Sequence, residues 1–108
     1  MEVIEKMKRL KNIHPGEVLQ EEFLAPMGIS VYRLSKETGL SQTRLGQIIR
    51  GERNVTAETA VKVGRFLNTG PEFWLNLQSL YDIEEADRRY GKEVEAIHPY
   101  SGVSAAAR

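Results

Sequence analysis

The chain has 108 residues, with 15 basic and 15 acidic side chains, a hydrophobic fraction of 41% and no cysteine. These figures predict one folded domain with a modest core, and they exclude disulfide bonds and thiolate chemistry. No apolar run approaches the roughly 20 residues that cross a bilayer, and the charged N-terminal stretch does not resemble a signal peptide. We therefore expect a cytoplasmic protein.

The first third of the chain predicts a basic arm followed by one helix. Residues 1–13 are basic and only partly amphipathic, so we assign them to an N-terminal arm. A helix is expected to begin in the segment 14–17, and Pro and Gly in the segment 26–28 are expected to end it. Its inward stripe consists of Val18, Leu19, Phe23 and Leu24.

Residues 34–51 predict two short helices joined by a tight turn. Ser30 is a candidate N-cap for the first helix, and Gly39 falls where a helix C-terminus favours positive φ. Ser41 offers its hydroxyl to the free N–H groups of the second helix. The inward stripe of that helix is Leu45, Ile48 and Ile49, spaced i, i+3, i+4. This layout is typical of a helix-turn-helix that places one helix in the major groove of DNA.

The outward face of the second helix is polar and has no carboxylate. At about 100° per residue, Thr43, Gln47 and Arg50 point away from the inward stripe, with Arg44 and Gly46 beside them. Hydroxyl, amide and guanidinium groups suit hydrogen bonding to base edges and phosphates. The alternative is an ordinary solvated helix, since small helical domains commonly show such faces. Gly46 either has no role beyond weakening the helix, or it permits the backbone of DNA or of another protein segment to approach closely.

Two further helices are predicted after the turn region. Thr56 is expected to cap the fourth, and the segment 69–72, Thr-Gly-Pro-Glu, indicates a capping box with proline in the first turn of the fifth. The periodicity weakens after Asp87, so we expect a helix-turn-helix domain over residues 14–87 and a flexible tail over 88–108. The fold class is therefore all-α with five helices. The fifth helix carries a broad apolar surface, part for the core and part for a second copy of the chain: Phe73, Trp74, Leu77, Leu80, Tyr81 and Ile83.

Charge is unevenly distributed along the neutral chain. Residues 30–55 contain five basic and two acidic side chains, whereas residues 72–87 contain five acidic and no basic ones. This distribution indicates a basic end for phosphates and an acidic end turned away. The alternative is a solvated surface whose charges segregate without function.

The residues do not favour an enzyme. The two histidines, His14 and His98, are distant from each other and precede prolines, so they are too few for a zinc site. The adjacent acidic pairs at 21–22 and 84–85 each face two directions on a helix, which does not make a paired-carboxylate site. No glycine-rich phosphate loop is present. We expect no catalytic residue, no metal and no cofactor.

The segment HPGEVLQEEFL, the helix-turn-helix and the segment RGERNVTAETAVKVGRFLNTGPEFWLNLQSLYD resemble HigA-type antitoxins, the virulence-associated protein I group. These belong to the phage-repressor-like helix-turn-helix class. The resemblance covers roughly residues 13–84, and TGPEFWLNLQSLYD is its most specific part. It implies a homodimer that binds a palindromic double-stranded DNA operator and represses its own gene. It also implies a partner, an mRNA-cleaving toxin of the RelE-like class.

The resemblance also implies roles for individual residues. Gln42, Thr43 and Gln47 match the base-reading positions, and Arg44 beside them reaches a base or a phosphate. Val31 is a departure, because many of these domains have a phosphate-binding glutamine there. The expected phosphate contacts are Ser30, Tyr32, Arg33, Ser41, Arg50, Arg53 and Asn54, and the expected dimer interface is Phe73, Trp74, Leu77, Leu80 and Tyr81.

Two alternatives to an autoregulating antitoxin stay open at this point. One is a solitary phage-repressor-like regulator that has no toxin partner. The other is a toxin-binding module with weak DNA contacts, which the neutral net charge and Val31 both favour. A small basic toxin gene beside this one would favour a neutralising role, and its absence would favour the solitary regulator.

Overall fold

The computed structural model describes residues 12–101, which form five helices and no strand. Helix α1 is continuous from a helical segment Pro15–Val18 through a π-helical segment Leu19–Leu24 to Ala25–Met27. The others are α2 Val31–Thr38, α3 Gln42–Ile49, α4 Ala57–Phe66 and α5 Pro71–Glu95. The prediction of an all-α, five-helix fold is confirmed. None of these helices has the length and apolarity to span a membrane.

Side-chain caps begin the three central helices where the sequence predicts them. The hydroxyls of Ser30 and Ser41 each accept a backbone N–H three residues on, both at 3.0 Å, and Thr56 caps α4 in the same way. Helices α1 and α2 end at Gly28 and Gly39, with φ of 67° and 80°. Glycine tolerates this left-handed conformation because it has no Cβ. These local signals therefore define the helix boundaries around the turn.

The predicted capping box at the start of α5 is wrong. Gly70 is the N-cap, and no side chain caps this helix. The Thr69 hydroxyl instead accepts the indole N–H of Trp74 at 2.8 Å. Trp74 is buried, and a buried N–H without an acceptor costs about 1–3 kcal/mol. Because the helix begins at Pro71, Thr69 lies one residue too early to cap it.

All five helices contribute to one core. Trp74 and Leu77 from α5 have 2% and 0% of their surface exposed. Side chains this deeply buried belong to the core of the single chain, which does not favour the prediction that these two line a dimer interface. Phe73 and Tyr81 are partly buried, and Leu80 is 45% exposed. The fully buried apolar side chains from α1 to α4 include Val18, Leu19, Leu24, Leu34, Leu45, Ile48, Ala60 and Val63.

Helix α5 extends beyond the predicted domain boundary. It continues to Glu95, so residues 88–95 are helical where the weakening periodicity predicted the start of a flexible tail. This segment has no proline, and Arg88 lies 3.8 Å from Glu84 at the i, i+4 spacing that supports exposed helices. Residues 102–108 of the predicted tail and residues 1–11 of the predicted arm lie outside the described part of the chain.

A glycine fixes the approach of α1 to α3. A Cβ built on Gly16 would collide with the backbone carbonyl of Ile48. The first turn of α1 therefore rests directly on the last turn of α3, at a distance that no other residue type allows. Gly64 has the same role in α4, where a Cβ would collide with the carbonyl of Gly70. Neither glycine carries a local sequence signal that predicts this close packing.

His14 caps α1 and is buried in doing so. Its Nδ1 accepts the backbone N–H of Gly16 at 2.9 Å, only 8% of the residue is exposed, and its ring packs edge-on against Tyr81. Burial lowers the pKa of His14 below its usual value, and the carboxylates of Asp82 and Glu17 partly oppose this shift. The cap requires an unprotonated Nδ1, so the neutral imidazole is the form that stabilises the fold.

We expect His14 to make stability depend on pH below about 6.5, the ordinary histidine pKa. The unfolded chain binds the proton at higher pH than the folded chain, so the contribution is complete above this pH and is lost as pH falls through it. Urea denaturation between pH 5.5 and 7.5 measures the effect. His14→Asn keeps a capping oxygen and should flatten the dependence. His98→Asn, which changes an exposed histidine, should retain it. An equal pH dependence in both variants would contradict this role.

Candidate nucleic-acid interface

The core holds α3 with one side inward and the other toward solvent. Leu45 and Ile48 are fully buried, and α1 and α2 both pack against this helix. In its first turn Gln42 and Thr43 are exposed, and neither side chain hydrogen bonds to another described residue. Burial therefore agrees with the orientation that the helical spacing predicted. The first turn of α3 thus presents an amide and a hydroxyl that have no partner among residues 12–101.

The loop after α3 folds back over Gln47. Gly51 adopts a φ of 77°, its N–H bonds to the carbonyl of Ile48, and the N–H of Glu52 bonds to the carbonyl of Gln47 at 2.8 Å. This pattern of helix termination reverses the chain direction. It brings Arg53 beside the outward face, where its Nε–H donates to Oε1 of Gln47 at 2.9 Å. A predicted base-reading residue and a predicted phosphate contact are thus in direct contact.

Arg44 is held by a carboxylate from the next helix. Its guanidinium donates to Glu58 in the first turn of α4 at 3.0 Å, and Lys62 donates to the other carboxylate oxygen at 2.7 Å. The hydrogen bond from Lys62, followed by that from Arg44, lowers the pKa of Glu58 below its usual value. All three side chains are exposed or partly exposed, so these ion pairs exchange readily with solvent and other anions.

Two other cations of the region are also paired within the chain. Arg50 makes two hydrogen bonds to Glu52, at 3.1 and 3.3 Å, and Arg33 lies 3.8 Å from Glu37. The surface is therefore less basic than the residue count from 30 to 55 indicates. Exposed pairs of this kind are worth only about 0–1 kcal/mol. A phosphate can replace the carboxylate at little cost.

The remaining predicted contacts lie on or near α2 and in the loop. Ser30 and Ser41 cap helices through their oxygen atoms, which leaves each hydroxyl hydrogen free to donate. Tyr32 is 57% exposed, and Lys36 lies 5.8 Å from its ring centroid. Asn54 is exposed in the loop. Val31, the departure from the resemblance, packs against the core.

Gln78 anchors the loop and is a residue that the sequence patterns did not predict for this region. Its Oε1 accepts the N–H of Val55 at 2.7 Å, and its Nε2 donates to Asp82 at 2.9 Å. Gln78 is 6% exposed, so these bonds satisfy a buried amide. A signal was available, because this glutamine lies one helical turn after Trp74 on the inward side of α5. Glu58 and Lys62 were also missed, and neither carries a sequence signal beyond an acidic first turn.

The surface described above displays mainly hydrogen-bond donors. We define this interface as α3, the N-terminus of α2 and the loop 50–54. Its exposed groups can contact anionic oxygens through guanidinium and hydroxyl donors, and base edges through amides. Among residues 12–101, no group of three or more His, Asp or Glu side chains is placed to hold a metal ion. This arrangement has the features of a nucleic-acid-binding surface, with the outward polar side chains of α3 at its centre.

The sequence matches known proteins over most of its length. Residues 20–74 match the family model described as helix-turn-helix. Virulence-associated protein I of Dichelobacter nodosus is 42% identical over 76 residues, which cover 70% of each chain. Antitoxin HigA-1 of Vibrio cholerae is 36% identical over 94 residues, which cover 87% of this chain and 88% of the relative.

A solved structure has the same fold. Antitoxin HigA of Pseudomonas aeruginosa with the higBA promoter superposes with a TM-score of 0.78 at 37% identity. The match covers 82% of this chain and 98% of that protein. A structure of a relative with DNA therefore shares the helix arrangement described above.

Proposed function

The chain belongs to the HigA-type antitoxins of the helix-turn-helix family, and on that premise we propose that it binds operator DNA through α3 and represses its own operon. The observation that carries this proposal is the orientation of α3, whose first turn presents polar groups without hydrogen-bond partners in the described part of the chain. A P. aeruginosa relative of this fold has been solved with its promoter. DNA binding would place the chain in the cytoplasm.

We assign base reading to the outward side chains of α3. Gln42 and Gln47 carry amides that can donate and accept at once, which matches the N6 and N7 edge of adenine. Thr43 offers a hydroxyl beside them. Arg44 can reach a guanine or a phosphate if it exchanges Glu58 for the DNA. Their support is exposure: Gln42 and Thr43 are exposed, and the other two are partly exposed.

We assign phosphate contacts to the rim of this face. Arginine and hydroxyl donors on either side of a recognition helix fix its register on the duplex without reading sequence. Ion pairing with Glu37 and Glu52 does not prevent this, because these exposed pairs are weak. The residues in this group are Ser30, Tyr32, Arg33, Ser41, Arg50, Arg53 and Asn54.

We further propose that the chain acts as a homodimer through the exposed side of α5. A palindromic operator requires two recognition helices about 34 Å apart. Beyond the core residues, α5 exposes Leu80, Ile83, Tyr90 and Val94, a series spaced by 3, 7 and 4 residues. That spacing forms one stripe along a helix. The part of α5 before residue 88 is acidic, and the basic segment RRYGK follows it at residues 88–92. Two α5 helices packed antiparallel would therefore bring opposite charges together.

The antitoxin role is the second part of the proposed function. Its support is similarity to proteins named HigA antitoxins, which extends over most of both chains. We propose that the partner is a small RelE-like toxin that cleaves mRNA, encoded beside this chain. The alternatives are a solitary regulator without a toxin, and a toxin-binding module with weak DNA contacts. Absence of a neighbouring toxin gene would favour the first.

The test of DNA binding is a fluorescence-anisotropy titration against the chain's own upstream DNA and a scrambled duplex. We expect at least about a hundredfold preference for the upstream DNA, and affinity that falls steeply with salt because phosphate contacts release counterions. Gln47→Ala should lower specific affinity by about 1–3 kcal/mol without changing the thermal midpoint. Equal weak binding to both duplexes would refute sequence-specific recognition.

Disruption of the exposed stripe on α5 should produce monomers. Leu80→Glu and Ile83→Glu place charges in the proposed interface and change no buried side chain. We expect sedimentation equilibrium to show a shift from dimer to monomer, together with weaker operator binding. Val61→Glu on α4, which likewise replaces an exposed apolar side chain, should remain dimeric. Dimers in all three variants would exclude this surface as the interface.

The antitoxin role can be tested by co-expression with the neighbouring small reading frame. We expect that frame alone to arrest growth and to shorten mRNA half-lives, and this chain to restore both. Gln47→Ala should still restore growth, because neutralisation needs the protein contact rather than base reading. A neighbouring frame without effect on growth would leave the solitary regulator as the better description.

A further inference from the structure

We propose that Arg53 is a positioning residue for base reading, which orients the side-chain amide of Gln47 in addition to any contact with phosphate. This inference rests on the proposed DNA-binding function. The observation is the hydrogen bond from Nε of Arg53 to Oε1 of Gln47, at 2.9 Å across six residues. It links the loop after α3 to the outward face of the helix.

The contact determines which end of the amide faces outward. A glutamine amide can rotate by 180°, which exchanges its oxygen and its NH₂ group. A guanidinium has donors and no acceptor, so only the oxygen of Gln47 can face Arg53. Both hydrogens of Nε2 and the second lone pair of Oε1 remain available. Gln47 therefore presents a donor in a fixed direction, which suits an acceptor on a base edge such as purine N7.

The backbone supports this arrangement independently of the two side chains. Gly51 ends α3 in the left-handed conformation, and the N–H of Glu52 bonds to the carbonyl of Gln47 itself. At the other end of the loop, the backbone N–H of Val55 donates a hydrogen bond to the side chain of buried Gln78 in α5. The segment that carries Arg53 is therefore held at both ends. Arg53 lies next to Gln47 because of the loop geometry, and it does not depend on DNA to be placed there.

Neighbouring Arg50 provides a matched comparison. It has the same charge, lies at the same end of α3, and is also exposed, but its guanidinium bonds to Glu52 instead of a base-reading residue. An arginine that contacts only phosphate adds the same free energy to every sequence. An arginine that orients Gln47 adds free energy selectively, at the base pair that Gln47 reads. The two roles therefore differ in which duplexes lose affinity when the arginine is replaced, and not in the average loss over all duplexes.

The experiment uses the full chain and a panel of upstream duplexes, each with one base pair substituted in one half-site. Gln47→Ala first identifies the base pair that Gln47 reads, as the position where about a tenfold preference is lost. We expect Arg53→Met to reduce the preference at that base pair at least threefold and to leave other positions unchanged. Arg50→Met should lower affinity for every duplex by a similar factor. Circular dichroism melts confirm that each variant folds.

A double variant completes the test. In the Gln47→Ala background, Arg53→Met should leave the pattern of preferences unchanged and lower only overall affinity. The inference is overturned if Arg53→Met lowers all affinities evenly, as Arg50→Met does, or if its selective effect persists without Gln47. If the unmodified chain itself fails to prefer upstream over scrambled DNA, the proposed function fails and this inference with it.

Discussion

The contact between Gly16 and the carbonyl of Ile48 is the constraint on which the interface depends. It sets the distance of α1 from the last turn of α3, while Leu45 and Ile48 fill the core beneath. Interior packing tolerates little change in volume, so the rotation of α3 about its axis is fixed by these buried groups. The outward direction of its polar residues is therefore a consequence of the core. His14 strengthens the same junction, since it caps the helix that carries Gly16.

The polar side chains above this core are organised by pairing within the chain. Arg44, Arg50 and Arg33 each contact a carboxylate, which reduces the attraction of the surface for arbitrary polyanions. Non-specific binding arises mainly from uncompensated cations near phosphate. A surface whose cations are paired gains less binding free energy from the phosphates of an arbitrary duplex. Contacts with the bases of a matching sequence therefore make up a larger share of the total. Neutral net charge is thus compatible with selective DNA recognition, because the positions and pairing of the charged side chains matter more than the net charge of the chain.

The sequence predicted the local features of the fold better than its tertiary ones. Caps at Ser30 and Ser41 and the turn at Gly39 depend on one residue and its neighbours, so residue type alone indicated them. The close approach at Gly16 was missed because its partner carbonyl lies more than thirty positions away. The predicted capping box at Thr69 failed for a different reason, because the helix begins at Pro71 and Thr69 lies one residue too early. Its hydroxyl accepts the indole N–H of buried Trp74 instead.

The same limits apply to the interface and to α5. Helical spacing predicted which residues of α3 face outward, but it contained no information on Glu58 or on the contact of Arg53 with Gln47, since both depend on where a loop and another helix lie. Along α5 the apolar series gave no means of dividing core from exposed surface. Packing makes that division: Trp74 and Leu77 lie on the side of α5 that the other helices cover, whereas Leu80 faces away from them. One continuous helix thus contributes Trp74 and Leu77 to the core and exposes a separate set of apolar side chains. Because both sets belong to the same helix, α5 connects the core beneath α3 directly to the surface proposed for the dimer.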